Sequence, residues 1–213
     1  LHDFDYNKQA MERTHRWAKT CLDAKTKNGQ MLYGIVQGGE FRDLREESAK
    51  FINSLPFEGI AIGGAFEKSE NGSFDVLHWT IPLLDEIRPR HFLGIGLIED
   101  IFESVELGID TFDCVIPTRE ARHGGIWTKA GRFDVKKSVY QNDQSKLEKD
   151  CFCPACQAVT KSELRELFKT KNPLAGEYAT VHNVYFFNNL MAEIREAIRN
   201  GRLAELKKEY LKS

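Results

Sequence analysis

The sequence predicts an α/β protein, a parallel sheet covered by helices and followed by a smaller, helix-rich part. Three observations carry this. Short apolar runs give way to segments of helical periodicity in repeated alternation through the first half of the chain, the pattern of a parallel sheet. Three of the four apolar runs end in a glycine pair or Gly-x-Gly, at the strand ends where α/β sheets place their sites. After Pro117 the texture changes to a hairpin, a polar stretch with crowded cysteines, and helices.

In order, residues 7–25 carry Ala10, Met11, Trp17, Ala18, Cys21 and Leu22 at helical spacing, and predict a first helix. A strand over 31–37 ends in Gly38-Gly39 and leads to a helix over 41–55. Ile60-Ala-Ile62 is followed by Gly63-Gly64 and a helix from about Phe74. His91-Phe-Leu93 runs into Gly94-Ile-Gly96 and a helix from about Glu99, and residues 111–116 form the fourth strand. Any one glycine pair reads as a tight turn, but three at equivalent positions point to a shared site. Next, 124–135 reads as a hairpin, Ile126-Trp-Thr128 and Arg132-Phe-Asp-Val135 around Lys129-Ala-Gly131. The polar stretch 136–150 precedes the cysteines, and the chain from Lys161 onward is helical, with Asn200-Gly201 a C-cap between the last two helices.

The totals bound the function classes. The chain has 213 residues and a formal net charge of -2, with 41% hydrophobic and 29% charged residues, which excludes a disordered chain. No apolar run approaches the roughly 20 residues of a membrane span and no signal-peptide pattern opens the chain, so the expected compartment is the cytosol. Leu1-His-Asp-Phe-Asp-Tyr6 looks like a chain entered partway, with N-terminal sequence missing.

Two features carry chemistry. Cys151, Cys153 and Cys156 crowd three of the five cysteines onto one loop, which in a cytosolic protein reads as a metal site. Tetrahedral zinc needs a fourth ligand; His182 supplies it, with His123 also available. Four protein ligands leave no position for water, so such a zinc is structural. The second feature is Asp113, set within the apolar run Thr111-Phe-Asp-Cys-Val-Ile116. Burying an ionised carboxylate is costly unless something pairs with it or uses it. Downstream, Arg119, Arg122, Lys129, Arg132, Lys136 and Lys137 stand against only Glu120 and Asp134, a basic patch suited to phosphates.

Taken together, "GIVQGG" (34–39), "AIGG" (61–64), "FLGIG" (92–96), "GIDTFDCVIPTREARHG" (108–124) and the Cys-x-Cys-x2-Cys…His set resemble the tRNA-guanine transglycosylases, or queuine tRNA-ribosyltransferases, from about Met11 to the C-terminus. The resemblance implies a TIM (β/α)8 barrel of which residues 1–117 are the C-terminal half, and a zinc-binding subdomain with C-terminal helices over 118–213. It implies exchange of guanine at the tRNA wobble position for a 7-deazaguanine, preQ1 or queuine, with Asp113 as the nucleophile of a double displacement on a flipped-out nucleotide. It further implies that Gln37, Gly64, Leu93 and Gly94 hold the base and that Arg119 and Arg122 hold the anticodon loop. Cys151, Cys153, Cys156 and His182 then bind zinc, in a cytoplasmic homodimer. Ala65-Phe-Glu-Lys-Ser69 departs from the family pattern beside the substituent on the incoming base. The family's general acid/base and second base-reading aspartates have no match here. A non-catalytic RNA-binding partner subunit is the rival reading, against which Asp113 and an intact Pro117-Thr-Arg119 argue.

Overall fold

The computed structural model describes residues 3–27, 29–64 and 74–211. The chain forms two compact units, Leu1–Cys114 and Val115–Ser213.

In the first unit, helix α1 (Phe4–Ala24) begins before the first residue its periodicity predicts, because Asp3 caps it: the carboxylate accepts from the Tyr6 amide at 2.7 Å. Strand β1 (Tyr33–Val36), helix α2 (Arg42–Asn53), β2 (Gly59–Ile62), α3 (Asp75–Thr80), β3 (Arg90–Leu93), α4 (Ile98–Glu106) and β4 (Thr111–Asp113) follow. The strands lie in the order β1-β2-β3-β4, all parallel. The α/β expectation therefore matches the structure. Segment 65–69, which sequence reading set beside the substituent on the incoming base, lies outside the described residues.

Burial alternates along β1 and β3, whereas β2 is buried throughout. Val36, Ile62 and Phe92 are fully buried and cluster with Ala49 and Ile52 of α2 and Leu77 of α3. On the opposite face Tyr33, Ile35, His91 and Leu93 are only partly covered, and Thr111 and Asp113 are exposed. Side chains two apart share a face, so this face carries every second residue of each strand.

The fourth strand is shorter than its apolar composition predicts. It ends at Asp113, and Val115 already has helical dihedrals as the cap of α5 (Ile116–Arg122), in whose first turn Pro117 sits. Proline offers no N–H to a sheet ladder but suits a helix start. Asp113 is thus the last strand residue, with a side chain 64% exposed, and not a carboxylate in mid-strand. The same helix moves the division between units to follow Cys114 rather than Pro117, because α5 packs against a later helix of the second unit.

That second unit continues with the antiparallel hairpin β5 (Gly125–Thr128) and β6 (Gly131–Asp134), which turns at Gly131 with φ 107°. Helices α6 (Pro154–Ala158), α7 (Lys161–Lys169), α8 (Leu174–Arg199) and α9 (Leu203–Leu211) complete it. Ala121, Ile126, Val135, Leu147, Leu164 and Ala179 form its core together with the three crowded cysteines. A capping box opens α7, in which Thr160 and Glu163 each bond the other's backbone N–H. At the end of α8, Arg202 N donates to Ala197 O at 2.8 Å and Gly201 N to Ile198 O at 3.1 Å, a Schellman motif with Gly201 at φ 67°. Among the described residues no helix is long and apolar enough to cross a membrane.

Candidate active site and metal site

Five of the sequence-predicted residues, Gln37, Gly64, Leu93, Gly94 and Asp113, gather at the C-terminal ends of the strands. Register pairs Val36 with Ile62, Ile62 with Phe92, and Leu93 with Asp113. One step past the buried Val36-Ile62-Phe92 rung lie Gln37, Gly63, Leu93 and Asp113. Gly63 N still donates to Val36 O at 3.2 Å. The Gln37 amide lies against the second glycine turn, since a Cβ on Gly64 would stand 3.0 Å from Gln37 Oε1. Gly64 (φ 64°) and Gly94 (φ 77°) both adopt left-handed backbone that disfavours any side chain.

Arg45, which sequence reading missed, holds this end together. Its side chain is fully buried; Nε donates to Gly39 O at 2.6 Å, Nη1 to Gly63 O at 2.7 Å and Val36 O at 3.3 Å, and Nη2 to Gly64 O at 2.9 Å. One guanidinium therefore ties both glycine turns. Burial pushes its pKa down to about 10, yet it keeps its charge at neutral pH. Arg45 lies with Ser48, Ala49 and Ile52 on the buried side of α2. Ser48 Oγ on that face accepts from the backbone N–H of Gln37 at 3.1 Å and lies 3.1 Å from His15 Nε2. Burial lowers the His15 pKa, which favours a neutral ring that accepts the Ser48 proton.

A second missed residue is His91. Its Nε2 lies 3.0 Å from Asp113 Oδ1 and its Nδ1 2.9 Å from Thr111 Oγ1.

In the second unit Arg119 and Arg122 occupy the last turn of α5, both exposed. The surrounding basic segment is more neutralised than its composition implies: Arg132 Nε donates to Glu120 Oε2 at 2.8 Å, Lys129 Nζ lies 2.8 Å from Glu193 Oε2, and Lys136 Nζ lies 3.9 Å from Asp134 Oδ2.

The metal-ligand candidates converge. Cys151, Cys153, Cys156 and His182 are buried, with their ligating atoms all within 4.8 Å of one another. His182 Nδ1 lies 3.8, 3.5 and 3.4 Å from the three sulfurs in that order. Tetrahedral zinc, with Zn–S of about 2.3 Å and Zn–N of about 2.05 Å, separates sulfur from nitrogen by about 3.5 Å, so the donor set fits. His123 is exposed and outside the cluster. His182 lies well inside α8, not at a helix start, since the helix already begins at Leu174. Its Nε2 donates to Trp127 O at 2.8 Å, which fixes Nδ1 toward the sulfurs. The adjacent Asn183 accepts from Trp127 N at 3.1 Å and donates to Gly125 O and Pro117 O, each at 2.9 Å. Backbone amides already point at the thiols, Cys153 N to Cys151 Sγ at 3.5 Å and Cys156 N to Cys153 Sγ at 3.3 Å. A hydrogen bond from Cys156 pushes the Cys153 pKa down to about 4, while burial pushes Cys151 up. The Cys153 bond in turn pushes Cys156 up, so the cluster favours a single thiolate, at Cys153.

Comparison with known proteins identifies the family. A family model described as queuine tRNA-ribosyltransferase matches residues 2–213. A protein of Archaeoglobus fulgidus is 44% identical over 99% of this chain and 54% of its own length. The queuine tRNA-ribosyltransferases of Halothermothrix orenii and Pelotomaculum thermopropionicum are 41% and 44% identical, over 99% and 98% of this chain and 57% and 56% of their own lengths. The chain spans about half the length of the curated relatives it matches. With a match along nearly all of its residues, the chain belongs to the queuine tRNA-ribosyltransferase family.

Proposed function

We propose that the protein carries the nucleophile, part of the base pocket and the zinc module of a tRNA-guanine transglycosylase, and that its four strands are half of an eight-stranded (β/α) barrel. The observation that carries this is the exposed Asp113 carboxylate at the end of β4, level with Leu93 and the glycine turns. In the reaction a carboxylate oxygen of Asp113 attacks C1′ of the wobble guanosine. The C1′–N9 bond breaks, its electron pair leaves with guanine, and a general acid outside this chain protonates the departing base. The N9 atom of the incoming 7-deazaguanine then attacks C1′, gives its proton to the conjugate base of that same acid, and the C1′–O bond breaks to release the Asp113 carboxylate. Two inversions return the original anomeric configuration. The target nucleotide leaves its stack to reach the carboxylate.

Gln37 would read the base edge through its amide and Gly64 through its backbone, with Leu93 and Gly94 forming the wall. Arg119 and Arg122 would hold the anticodon loop. Zinc held by Cys151, Cys153, Cys156 and His182 would supply no chemistry to the reaction and would cross-link the cysteine loop to α8. The family relationship also supports a cytoplasmic homodimer.

The test is a denaturing gel of the full-length enzyme incubated with an anticodon stem-loop in the absence of incoming base. Wild type should give a denaturation-resistant protein–RNA band and Asp113→Asn none. RNA bound in a native gel, with no covalent band from either protein, would favour the non-catalytic partner instead.

A further inference from the structure

We propose that His91 is a positioning residue for the nucleophile: it grips one oxygen of Asp113 and orients the other toward the ribose. This rests on the reading of Asp113 above. His91 stands opposite Thr111 in the β3–β4 register, on the less covered face of the sheet. Thr111 and Asp113 share that face, two residues apart on one strand. The imidazole lies along that gap, with Nδ1 2.9 Å from Thr111 Oγ1 and Nε2 3.0 Å from Asp113 Oδ1. Its two ring nitrogens reach both partners at once.

For a neutral ring, one proton arrangement satisfies both contacts. An ionised carboxylate only accepts, so Nε2 carries the hydrogen, and Nδ1 accepts from the Thr111 hydroxyl. Thr111 thereby sets the tautomer that faces Asp113. The ring is also restrained from the side. Tyr33 meets it edge-on, with centroids 6.4 Å apart and planes at 83°. Tyr33 reaches across because Gly59 has no side chain: a Cβ there would stand 2.3 Å from the Tyr33 ring. Tyr33 on β1 and Thr111 and Asp113 on β4 thus frame one histidine.

Stability does not account for this arrangement. The Asp113 side chain is 64% exposed, and a pairing at such exposure contributes little to stability. The bond instead has two consequences for a double displacement. It fixes the carboxylate's rotation, so that Oδ2 is the free oxygen for C1′. In the second displacement it also stabilises the charge that returns to Asp113 as the leaving group.

The experiment uses the full-length enzyme and steady-state base exchange on an anticodon stem-loop, with His91→Phe, His91→Gln and Asp113→Asn assayed side by side. His91→Phe keeps a ring without nitrogens and should lower kcat about 10- to 100-fold, as expected for a misplaced reacting group, with KM for RNA changed less than about twofold. His91→Gln, whose Nε2 can still donate to Asp113, should recover most of that loss. A His91→Phe enzyme with wild-type kcat, or equal losses in His91→Phe and His91→Gln, overturns the proposal. If Asp113→Asn retains exchange, the nucleophile reading itself fails, an outcome distinct from failure at His91.

Discussion

Arg45 is a buried cation whose charge is met by the carbonyls of Val36, Gly39, Gly63 and Gly64. Those oxygens lie at strand ends, where left-handed glycines have left the regular ladder, so the guanidinium supplies donors that the sheet does not. Arg45→Met leaves several of these carbonyls unpaired and should cost about 3 kcal/mol, read as a lower urea midpoint at unchanged slope. Arg45→Lys should rescue little of it, because an ammonium lacks the planar fork that reaches both turns. The glycine pairs were legible in the sequence as a shared site, and the arginine that joins them was not, because a lone Arg on a helix normally faces water. At this scale the cluster of Cys151, Cys153 and Cys156 was legible because three thiols on one loop are unusual, and Asp113 drew notice as a carboxylate in an apolar run. His91 was read only as a strand residue, since its partners lie on another strand.

Among elements, Glu58 shows how ordinary surface charges set register. Just before β2, it bonds Lys25 at the end of α1 and accepts from Leu32 N, just before β1, at 2.9 Å. The Lys25 bond lowers its pKa from 4.5 to about 2. A depressed carboxylate contributes stability above its unfolded pKa and loses it as pH falls through the folded value. Glu58→Gln should therefore flatten the decline in thermal midpoint between about pH 4.5 and pH 2, while leaving the zinc content unchanged. In the second unit, α8 captures both peptide groups of Trp127, through His182 and Asn183. Cys153→Ala should release bound zinc, measured by mass spectrometry of the metal, and lower the melting temperature of the protein. A fully zinc-loaded Cys153→Ala protein would remove Cys153 from the ligand set. Helix positions followed from periodicity, but the end of β4 did not: Val115 and Ile116 are good strand formers, and Pro117 draws them into α5.

At the scale of the whole chain, the net charge of -2 gives no general attraction to RNA, so the anticodon binding proposed above would depend on local cations. Ion pairs occupy Lys129 and Arg132, while Arg119 and Arg122 stand exposed on α5. Alanine at either position should weaken stem-loop binding most at low salt and reduce the slope of log K against log salt by about one. Unchanged slopes in both variants would place the phosphate contacts elsewhere.

Local chemistry determined much of this protein from the sequence alone. Strand and helix alternation, the glycine turns, the thiol cluster with its histidine, and the family are written in short-range patterns of residue type. Tertiary structure decided what depends on register and packing. It shows that one face of the sheet is covered along all of β1, β2 and β3 and the other only at β2, that His182 and not His123 faces the thiols, that Arg45 clamps two turns, and that His91 touches Asp113. The physical reason is that hydrogen bonds between strands join residues distant in the chain, and a one-residue shift in register would send each side chain to the opposite face.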